Sequence, residues 1–545
     1  MSAPSGRPGH AAAAAWITAT PPTPNGDLHL GHMAGPYIAG DVLRRFLTAD
    51  GVAARYTSGL DDHQSYVPVR GLTDGPRTAE EVADGYGASI TGVWRRAGVD
   101  FDTLSRPRTD QGYAGYVQDF VRELYEQGDI VARTRPLPWC ASCERWLYEA
   151  YVAGGCPHCG ARSNGNACEP CGRPNDCADL LGPVCVPCGR PAELRDCERL
   201  YFPLGPFADR LAAFWQRVTM PPHLRALCET MLSAGLPEIA VSHPGDWGLP
   251  TTVPGFEQQR IYVWFEMGPG YLWQYGPGAL PTAGPVQFFG FDNGYFHALL
   301  FPAQFLAHRS RPPLPEAFVV NEFYRLEGLK FSTSRRHAVW AHDELARTPA
   351  DVLRYHVLAD RPEGRQTSFS AGALERTRRH LADRWDGWLA RLFEQLAKDC
   401  DGRAPDRMPT GPAWERLRER LGRSATELRD AYGVDGFAPR RATALLDEVV
   451  ACADDFAHVH AYEQDRPDGA DAHRSALAAQ LTVAAALSAW AAPVMPHGAA
   501  RLAAVLGLPD GRPVDRDALV PLPAGQPLGP LTGPVFSGFG DVGRG

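Results

Sequence analysis

Four Cys-x-x-Cys pairs lie in the middle of the chain, and they restrict its fold more than any other feature. These knuckles fall within 49 residues and are separated by loops of 12, 8 and 13 residues: Cys140/Cys143, Cys156/Cys159, Cys168/Cys171 and Cys185/Cys188. Two residues between thiolates let a tight turn direct both sulfurs at one tetrahedral ion, and two such turns complete a four-thiolate shell. The spacing therefore predicts two structural zinc sites, and the residues alone leave adjacent and nested pairing of the knuckles open.

Disulfides and redox-active dithiols are the alternative interpretations of these pairs. The amino-terminal segment lacks the charged, apolar and cleavage-site pattern of a secretory signal, so we expect a cytoplasmic protein, in which disulfides are rare. The longest apolar run, 481–495, is too short to span a bilayer, so no membrane association is expected. Four knuckles so close together also disfavour a redox dithiol, whereas all-thiolate zinc sites are typically structural.

The sequence on either side of the knuckles has the pattern of an α/β protein. Residues 12–20 are predicted as a buried strand, 28–51 as a helix and 52–63 as a second strand, with turn chemistry between the first two. A strand, a helix and a strand in this order form a βαβ unit with a right-handed crossover in a mostly parallel sheet. Because this pattern resumes near Ile261 and Val286, the cysteine-rich segment is predicted to be inserted into an α/β domain.

After residue 330 the sequence becomes helical in pattern. Four segments have apolar residues three and four positions apart and are predicted as helices: Ala371–Lys398, Ala413–Tyr432, Arg440–Ala461 and Asp471–Leu506. Together they predict an antiparallel helix bundle, which is followed by an extended tail rich in Gly and Pro.

The charged residues exclude one class of protein and single out one residue. The formal net charge is −9, so the chain has no global positive field of the kind that nucleic-acid-binding proteins present, although local basic patches are compatible with it. Only two of the 54 basic residues are lysines, Lys330 and Lys398. A lysine kept against so strong an arginine bias indicates a position that needs a compact ammonium group.

Two short motifs indicate a nucleotide site. His29-Leu30-Gly31-His32 follows the first strand and its turn and begins a helix, so both imidazoles lie near the positive end of the helix dipole, which suits a triphosphate. Lys330-Phe331-Ser332-Thr333-Ser334 follows about 300 residues later on a loop that contains glycine. Taken alone, the first motif is also compatible with capping or core histidines, and the second with a solvated surface loop.

Together these motifs resemble the HIGH and KMSKS signatures of class I aminoacyl-tRNA synthetases. The string PPTPNGDLHLGH is similar to the opening segment of the methionyl-tRNA synthetase family, and the four-knuckle insertion is similar to the zinc-bearing connective peptide of that family. Tyr262–Tyr271 and Phe288–Pro302 are similar to its two amino-acid-pocket segments. The resemblance extends to about residue 510.

The resemblance implies an α/β fold, a Rossmann-like class I catalytic domain with an inserted zinc-knuckle domain, followed by an α-helical bundle. It divides the chain into six regions: the first half of the catalytic domain (1–115), the insertion (116–240), the second half of the catalytic domain (241–330), the KFSTS loop and stem-contact region (331–385), an anticodon-binding-like helical bundle (386–510) and the extended tail (511–545). It also implies nested knuckles, with Cys156, Cys159, Cys168 and Cys171 at the inner site. No further domain follows the bundle, which indicates a monomer.

The activity implied by the resemblance is activation of an amino acid by ATP to an aminoacyl-adenylate, with release of pyrophosphate, and transfer to the 3′ end of a tRNA. The implied catalytic residues act on the phosphates by positioning and charge stabilisation: His29, His32, Lys330 and Thr333. ATP, accompanied by Mg²⁺, is bound by the same histidines and lysine together with Gly31, Asp292 and Ser332. Asp61 matches the family carboxylate that holds the ammonium group of the amino acid.

The resemblance also implies the pocket for the side chain of methionine or a related amino acid. Its matching positions are Pro21, Thr23, Trp264, Met267, Tyr271, Phe296, His297 and Phe301. An aromatic box of this kind suits a polarizable thioether, whereas the aromatic residues taken alone are equally typical of core packing.

Several matched positions depart from the family pattern. Pro21 and Thr23 replace a large apolar residue and a tyrosine, Met267-Gly268 replaces Ala-Pro, and Phe301 replaces a tryptophan. Thr333 replaces the second lysine of the loop motif. The segment 458–469 lacks the asparagine and the Pro-Trp ending of the anticodon helix, so weaker anticodon recognition is expected.

These departures leave two alternatives to a working methionyl-tRNA synthetase. One is a paralogue that activates a different amino acid for a non-canonical acceptor, such as another tRNA, a carrier protein or a small molecule of a biosynthetic pathway. The other is a catalytically silent RNA-binding or regulatory protein. Retention of His29, His32, Asp61, Asp292 and Lys330 disfavours the silent protein.

Overall fold

The centre of the computed structural model is a five-stranded parallel sheet. The structure describes residues 15–75, 77–276, 283–331, 338–461 and 469–539. The sheet strands are numbered in chain order: β1 (Ala15–Ala19), β2 (Ala54–Gly59), β3 (Thr103–Ser105), β4 (Pro285–Gly290) and β5 (Ala317–Asn321). Their order across the sheet is β5-β4-β1-β2-β3, which is the doubly wound order of a Rossmann-like fold and confirms the predicted fold class.

The strand β1 shows why these residues form the centre of the sheet. Four of its five residues are buried, since it lies between β4 and β2 and both of its faces are covered. The order of the strands reverses between β1 and β4, and ligands of such sheets bind outside the carboxyl ends of the strands at that reversal. The turn that precedes the HLGH motif follows β1, so the topology directs that motif to the expected edge.

Helices cover both faces of this sheet. They are Leu30–His32, Met33–Tyr37, Ile38–Ala49, Tyr66–Thr73, Ala79–Arg96, Tyr113–Glu126, Val263–Tyr275, Phe291–Asn293, Phe296–Leu300 and Phe301–Ala307. The helix predicted over 28–51 is present from Leu30 to Ala49 but is interrupted by a wide π turn at Met33–Tyr37. Pro36 lies inside that turn, and its missing N–H explains why the regular hydrogen-bond ladder is broken there.

The cysteine-rich segment lies between β3 and β4 in the chain and forms small antiparallel sheets. Its strands are Val131–Cys140, Arg145–Trp146, Glu149–Gly155, Arg162–Gly165, Leu181–Cys185, Glu193–Pro203, Glu238–Ala240, Ser242–Pro244 and Gln259–Ile261. Its helices are Cys177–Asp179, Gly205–Phe207, Ala208–Trp215 and Pro222–Ala234. The predicted insertion into an α/β domain is therefore present as an interruption between two strands of the central sheet.

Beyond β5 the chain is mostly helical. A small sheet is formed by Tyr324–Leu326, Leu329–Lys330 and Thr367–Phe369, and the helices are Ala341–Arg347, Ala350–Ala359, Ala371–His380, Leu381–Asp386, Gly387–Asp399, Pro412–Tyr432, Pro439–His460, Gly469–Trp490, Pro496–Val505 and Arg516–Ala518. The single helix predicted over Asp471–Leu506 is wrong, because the chain turns at 491–495 between two helices. Pro493 and Pro496 lie at that break, and proline cannot continue a helical hydrogen-bond ladder.

Two features tie this helical region together. The backbone N–H groups of Val535, Phe536 and Ser537 all donate to the carboxylate of Asp386, at 2.8 to 2.9 Å, and thereby anchor the extended tail on the bundle. The guanidinium of Arg354, in the helix Ala350–Ala359, is fully buried against the catalytic fold.

Within the described residues, no helix has the length and apolar character that a membrane crossing requires.

Candidate functional site

A cleft of about 610 Å³ opens outside the carboxyl ends of β1 and β4. It brings together residues from distant parts of the chain that sequence analysis assigned to ATP and amino-acid binding: Pro21, Thr23, His29, Gly31, His32, Asp61, Trp264 and Asp292. Phe331, from the KFSTS motif, also lines it. The two signature motifs and the ammonium-binding candidate therefore share one cleft.

The two motifs are in direct contact. The ring of His29 stacks between those of His32 and Phe331, with centroid distances of 3.8 and 4.7 Å. The backbone pairing is equally direct, because the N–H of Leu30 donates to Val339 O at 3.0 Å and the N–H of Ala341 donates to Leu28 O at 2.8 Å. Residues that follow the KFSTS loop thus hold the start of the HLGH helix.

Gly31 is required by a close approach within the motif itself. A Cβ atom at this position would lie 2.8 Å from Cε1 of the His29 ring, so any side chain would displace that imidazole.

Lys330 ends the strand Leu329–Lys330, which pairs with Tyr324–Leu326. Ser332 and Thr333 lie outside the described residues.

The protonation state of His32 is set by its surroundings. The backbone N–H of His29 donates to its Nδ1 at 3.1 Å, so in the neutral ring the proton lies on Nε2. Burial lowers its pKa to about 4, so the ring is neutral near pH 7. His32 therefore offers a neutral N–H donor, which is suited to charge that develops on a phosphate.

Asp61 is a buried carboxylate that also lines the cleft. It is 5% exposed, and it accepts hydrogen bonds from Thr23 Oγ1 at 3.3 Å and Gln64 Nε2 at 3.2 Å. Burial raises its pKa well above the usual range, and the neighbouring carboxylates of Glu266 and Glu149 raise it further. An acidic group held in this state favours a bound cation, which would restore its ionised form.

The predicted side-chain pocket is an aromatic wall around Trp264. The ring of Phe296 stacks on Trp264 at 3.7 Å, and Tyr271 packs edge-on against Phe301 at 5.7 Å. Met267 and Tyr271 line a small adjoining cavity that Asp61 and Pro21 also line. Trp264 alone of the five aromatic candidates lines the main cleft, and the others lie behind it.

His297 belongs to a buried polar network rather than to the surface of the cleft. Its Nε2 lies 3.0 Å from Thr20 Oγ1 and its Nδ1 lies 3.1 Å from Gln287 Oε1. Burial lowers its pKa to about 3, so the ring is neutral. Neither Thr20 nor Gln287 was predicted from the sequence as a site residue. Gln287 offered a signal, because it is a polar residue within the apolar strand β4.

Gly268 and Gln304 form a second arrangement that sequence analysis missed. A Cβ at residue 268 would lie 1.9 Å from Oε1 of Gln304, so the amide fills the space that a larger residue would need. Gln304 is fully buried and its Nε2 donates to Phe265 O at 2.8 Å. The space beside Gly268 is therefore occupied by a side chain of the helix Phe301–Ala307.

The eight knuckle cysteines form two groups, nested as the resemblance implies. Cys140, Cys143, Cys185 and Cys188 make the outer group, and Cys156, Cys159, Cys168 and Cys171 make the inner one. Two Sγ–Sγ distances between the facing knuckles of the outer group are 3.5 and 3.9 Å, and two in the inner group are 3.9 and 3.6 Å. Tetrahedral Zn–S bonds of about 2.3 Å require about 3.8 Å between sulfurs, whereas a disulfide requires about 2.05 Å. The donor sets therefore fit zinc.

The knuckle backbones show why glycine follows three of the pairs. Gly160, Gly172 and Gly189 have φ values of 75°, 69° and 71°, and each N–H donates to the carbonyl of the first cysteine of its pair. This left-handed conformation is the one that glycine adopts at least cost, as predicted. Glu144 takes the same position after the first pair, at φ 50°.

We expect two zinc ions per chain, which native mass spectrometry measures directly. Cys159→Ser removes one of the four thiolates of the inner site and should reduce the content to one zinc, since three ligands from two turns no longer complete the shell. The matched control is Cys400→Ser, a half-buried cysteine outside both groups, which should keep two. Folded chain without metal would contradict the assignment.

Comparison with known proteins places these features in a family. The family profile described as "tRNA synthetases class I (M)" matches residues 15–393. The methionine–tRNA ligase of Thermomicrobium roseum is 32% identical over 508 residues, which cover 90% of this chain and 86% of that protein. The methionine–tRNA ligase of Dehalococcoides mccartyi is 36% identical over 372 residues, which cover 64% of this chain and 65% of that protein.

A solved structure shows the same fold. The structure of Mycobacterium tuberculosis methionyl-tRNA synthetase in complex with methionyl-adenylate matches 96% of this chain and 99% of that one, with a TM-score of 0.79 and 22% identity. The profile covers more than half of the chain, and the residues that it matches contain both signature motifs and both knuckle groups. The chain is a member of the methionyl-tRNA synthetase family of class I aminoacyl-tRNA synthetases.

Proposed function

We propose that the protein activates methionine with ATP and transfers it to the 3′ end of a tRNA. In the first step a carboxylate oxygen of the amino acid attacks the α-phosphorus of ATP, an aminoacyl-adenylate forms and pyrophosphate leaves. In the second, a ribose hydroxyl of the tRNA attacks the activated carbonyl and AMP leaves. The observation that carries the proposal is the contact of both signature motifs within the cleft that also holds Asp61.

The residues of the cleft take distinct parts in this proposal. Asp61 binds the ammonium group of the amino acid, and Asp292, which follows β4, binds the ribose of ATP. His29 and His32 stabilise charge on the phosphates, and Lys330 with Ser332 and Thr333 acts on the pyrophosphate side. Mg²⁺ bound to ATP supplies further charge neutralisation. No protein nucleophile is needed, so catalysis depends on positioning and electrostatic stabilisation.

The departures in the pocket favour a second candidate, a paralogue that activates a different amino acid. Pro21 has no N–H to donate to a substrate, and the buried amide of Gln304 beside Gly268 reshapes the wall near Met267. Residues 462–468 of the anticodon-matching segment 458–469 lie outside the described residues. The acceptor in this candidate is a molecule other than the methionine tRNA.

Amino-acid-dependent exchange of labelled pyrophosphate into ATP tests both candidates. The assay is run with each of the twenty amino acids and is followed by charging of bulk tRNA. Exchange and charging with methionine alone support the first candidate. Exchange with another amino acid, or with methionine but without charging, supports the second, and no exchange with any amino acid contradicts both.

Replacing His32 by alanine is expected to lower the rate of exchange by about 10²- to 10³-fold, the usual effect of removing one positioned donor. His32→Gln should retain more activity, because a glutamine amide reproduces a donor near Nε2, whereas an asparagine amide corresponds more closely to Nδ1. The wild-type rate should show no titration of this ring from about pH 6 to 8, because its pKa is about 4. Equal losses in the glutamine and alanine variants would contradict the tautomer assignment.

A further inference from the structure

A second cavity, of about 450 Å³, lies within the inserted segment and is lined by residues near the knuckles and by the end of the helix Pro222–Ala234. None of its lining residues lines the nucleotide cleft. Its lining includes the polar residues Arg199, His243 and Asn175 and the apolar residues Met231 and Ile239. Neither the adenylation chemistry nor the zinc sites uses these groups.

Arg199 is a buried cation whose hydrogen-bonding capacity is largely unused. It is 2% exposed, and its Nη2 lies 3.2 Å from Asp176 Oδ2. Its Nε and Nη1 have no hydrogen-bond acceptor among the described residues. A buried donor without a partner is destabilising, and more so when it is charged. An acceptor on a bound molecule would remove that penalty.

His243 is a second buried group without a hydrogen-bond partner in the described part of the chain. It is 6% exposed, and its ring packs on Tyr148 with a centroid distance of 3.7 Å. Burial lowers its pKa to about 3, with Arg199 as a further cause, so the imidazole is neutral and has one N–H to donate.

The carboxylates that line the cavity do not exclude an anion. Asp176 is paired with Arg199, and Glu238 is paired with Arg135. Burial raises the pKa of Glu149 to about 7, so this group carries less charge near neutral pH than an exposed carboxylate does, and Asp179 lies at the exposed edge of the cavity.

We propose that this cavity binds a small organic carboxylate with an apolar body. The carboxylate accepts hydrogen bonds from the unused Nε–H or Nη1–H of Arg199 and from the N–H of His243, and the apolar body packs against Met231 and Ile239. A volume of about 450 Å³ is in the range of small-molecule sites. The ligand needs no ammonium group, which separates its chemistry from that of the Asp61 site.

Isothermal titration calorimetry with 4-methylpentanoate tests the proposal on the full-length, zinc-loaded protein. This probe has the carboxylate and an apolar body but no ammonium group for Asp61. We expect one site per chain, with binding retained when methionine and ATP saturate the cleft. Arg199→Met should weaken binding by about tenfold or more, because it removes a charge-assisted hydrogen bond. Displacement by methionine, or undetectable binding at about 20 mM probe, would overturn the proposal.

A second variant keeps the test valid if Arg199→Met does not fold. Ala234 is an exposed residue that lines the mouth of the cavity, so Ala234→Trp blocks access without touching a buried polar group. Ser233→Trp adds the same bulk to the next exposed position of the same helix, which does not line the cavity. Loss of binding in the first variant and retention in the second is the expected result, and equal binding in both would refute the location.

Discussion

An Asp61→Asn variant is expected to lose at least two orders of magnitude in kcat/KM for the amino acid in pyrophosphate exchange, while keeping its fold. Asp61 is 5% exposed, so an ammonium group bound to it, as proposed, is largely removed from water. Leaving a buried charge without its partner costs about 3 to 5 kcal/mol, and each 1.4 kcal/mol corresponds to a factor of ten. Asparagine keeps the shape of the side chain and one acceptor for Thr23 or Gln64.

The same carboxyl predicts a pH dependence with a definite sign. The pKa of Asp61 is raised in the empty site, mainly by burial, so lowering the pH through that pKa protonates the group and weakens ammonium binding. The KM for the amino acid should therefore rise as the pH falls, and the variant should lack this dependence. A pH profile that is unchanged by the substitution would contradict the assigned role.

Stability should change in the opposite direction to activity. A carboxyl with a raised pKa in the folded state binds protons more tightly there than in the unfolded state, so the free energy of unfolding falls as the pH rises between the two pKa values. Asp61→Asn removes this unfavourable ionisation and should raise Tm at neutral pH. The neighbouring Asp62 is the control, because its carboxylate is paired with Arg106 at 3.1 and 3.2 Å and Asp62→Asn should lower Tm.

The features that could be predicted from the sequence depend on short stretches of chain. The knuckles follow from the spacing of cysteines and the φ preference of glycine, and the position of HLGH follows from a strand, a turn and a helix start. The pairing of the knuckles could not be predicted from the residues alone, because it depends on the antiparallel strands Glu149–Gly155 and Leu181–Cys185, which bring distant turns together. The family resemblance supplied the nested arrangement.

The features that could not be predicted depend on contacts between distant residues. Thr20 and His297 are 277 positions apart, and their hydrogen bond is specified by the adjacency of β1 and β4. Likewise, neither the sequence around Gly268 nor the sequence around Gln304 indicates that these two residues are in contact. The apolar spacing continues through Pro493 and Pro496, so it predicts one helix across 491–495. The two prolines break the hydrogen-bond ladder there, and the structure has two helices.

Arg354 is the clearest example of a residue that only the structure distinguishes. It is one of 52 arginines, since two of the 54 basic residues are lysines, and it is fully buried. Its guanidinium joins four segments through hydrogen bonds of 2.7 to 3.2 Å, to the carboxylate of Asp41 and to the carbonyl oxygens of Ala97, Gly98, Pro493 and Val494. One side chain therefore connects the HLGH helix to the turn between the last two long helices.

Replacing Arg354 by methionine is expected to destabilise the protein by about 3 to 5 kcal/mol, because it leaves four carbonyl oxygens without this donor and removes one of the two cations at Asp41. Thermal unfolding should show a fall in Tm of roughly 3 to 4 °C, because the unfolding entropy of about 2.1 cal/mol/K per residue amounts to about 1.1 kcal/mol/K for 545 residues. Arg354→Lys keeps the charge but loses the planar fork, so it should recover only part of the loss.

The control for this variant is an exposed arginine with similar pairing. Arg407 makes a bidentate ion pair with Asp471 at 3.0 and 2.8 Å, but both side chains are more than half exposed. Water and salt screen such a pair, so Arg407→Met should change stability by less than about 1 kcal/mol. Similar Tm values for the Arg354→Met and Arg407→Met variants would mean that the buried guanidinium does not hold the helical region to the catalytic fold, and a large difference confined to Arg354 would establish that it does.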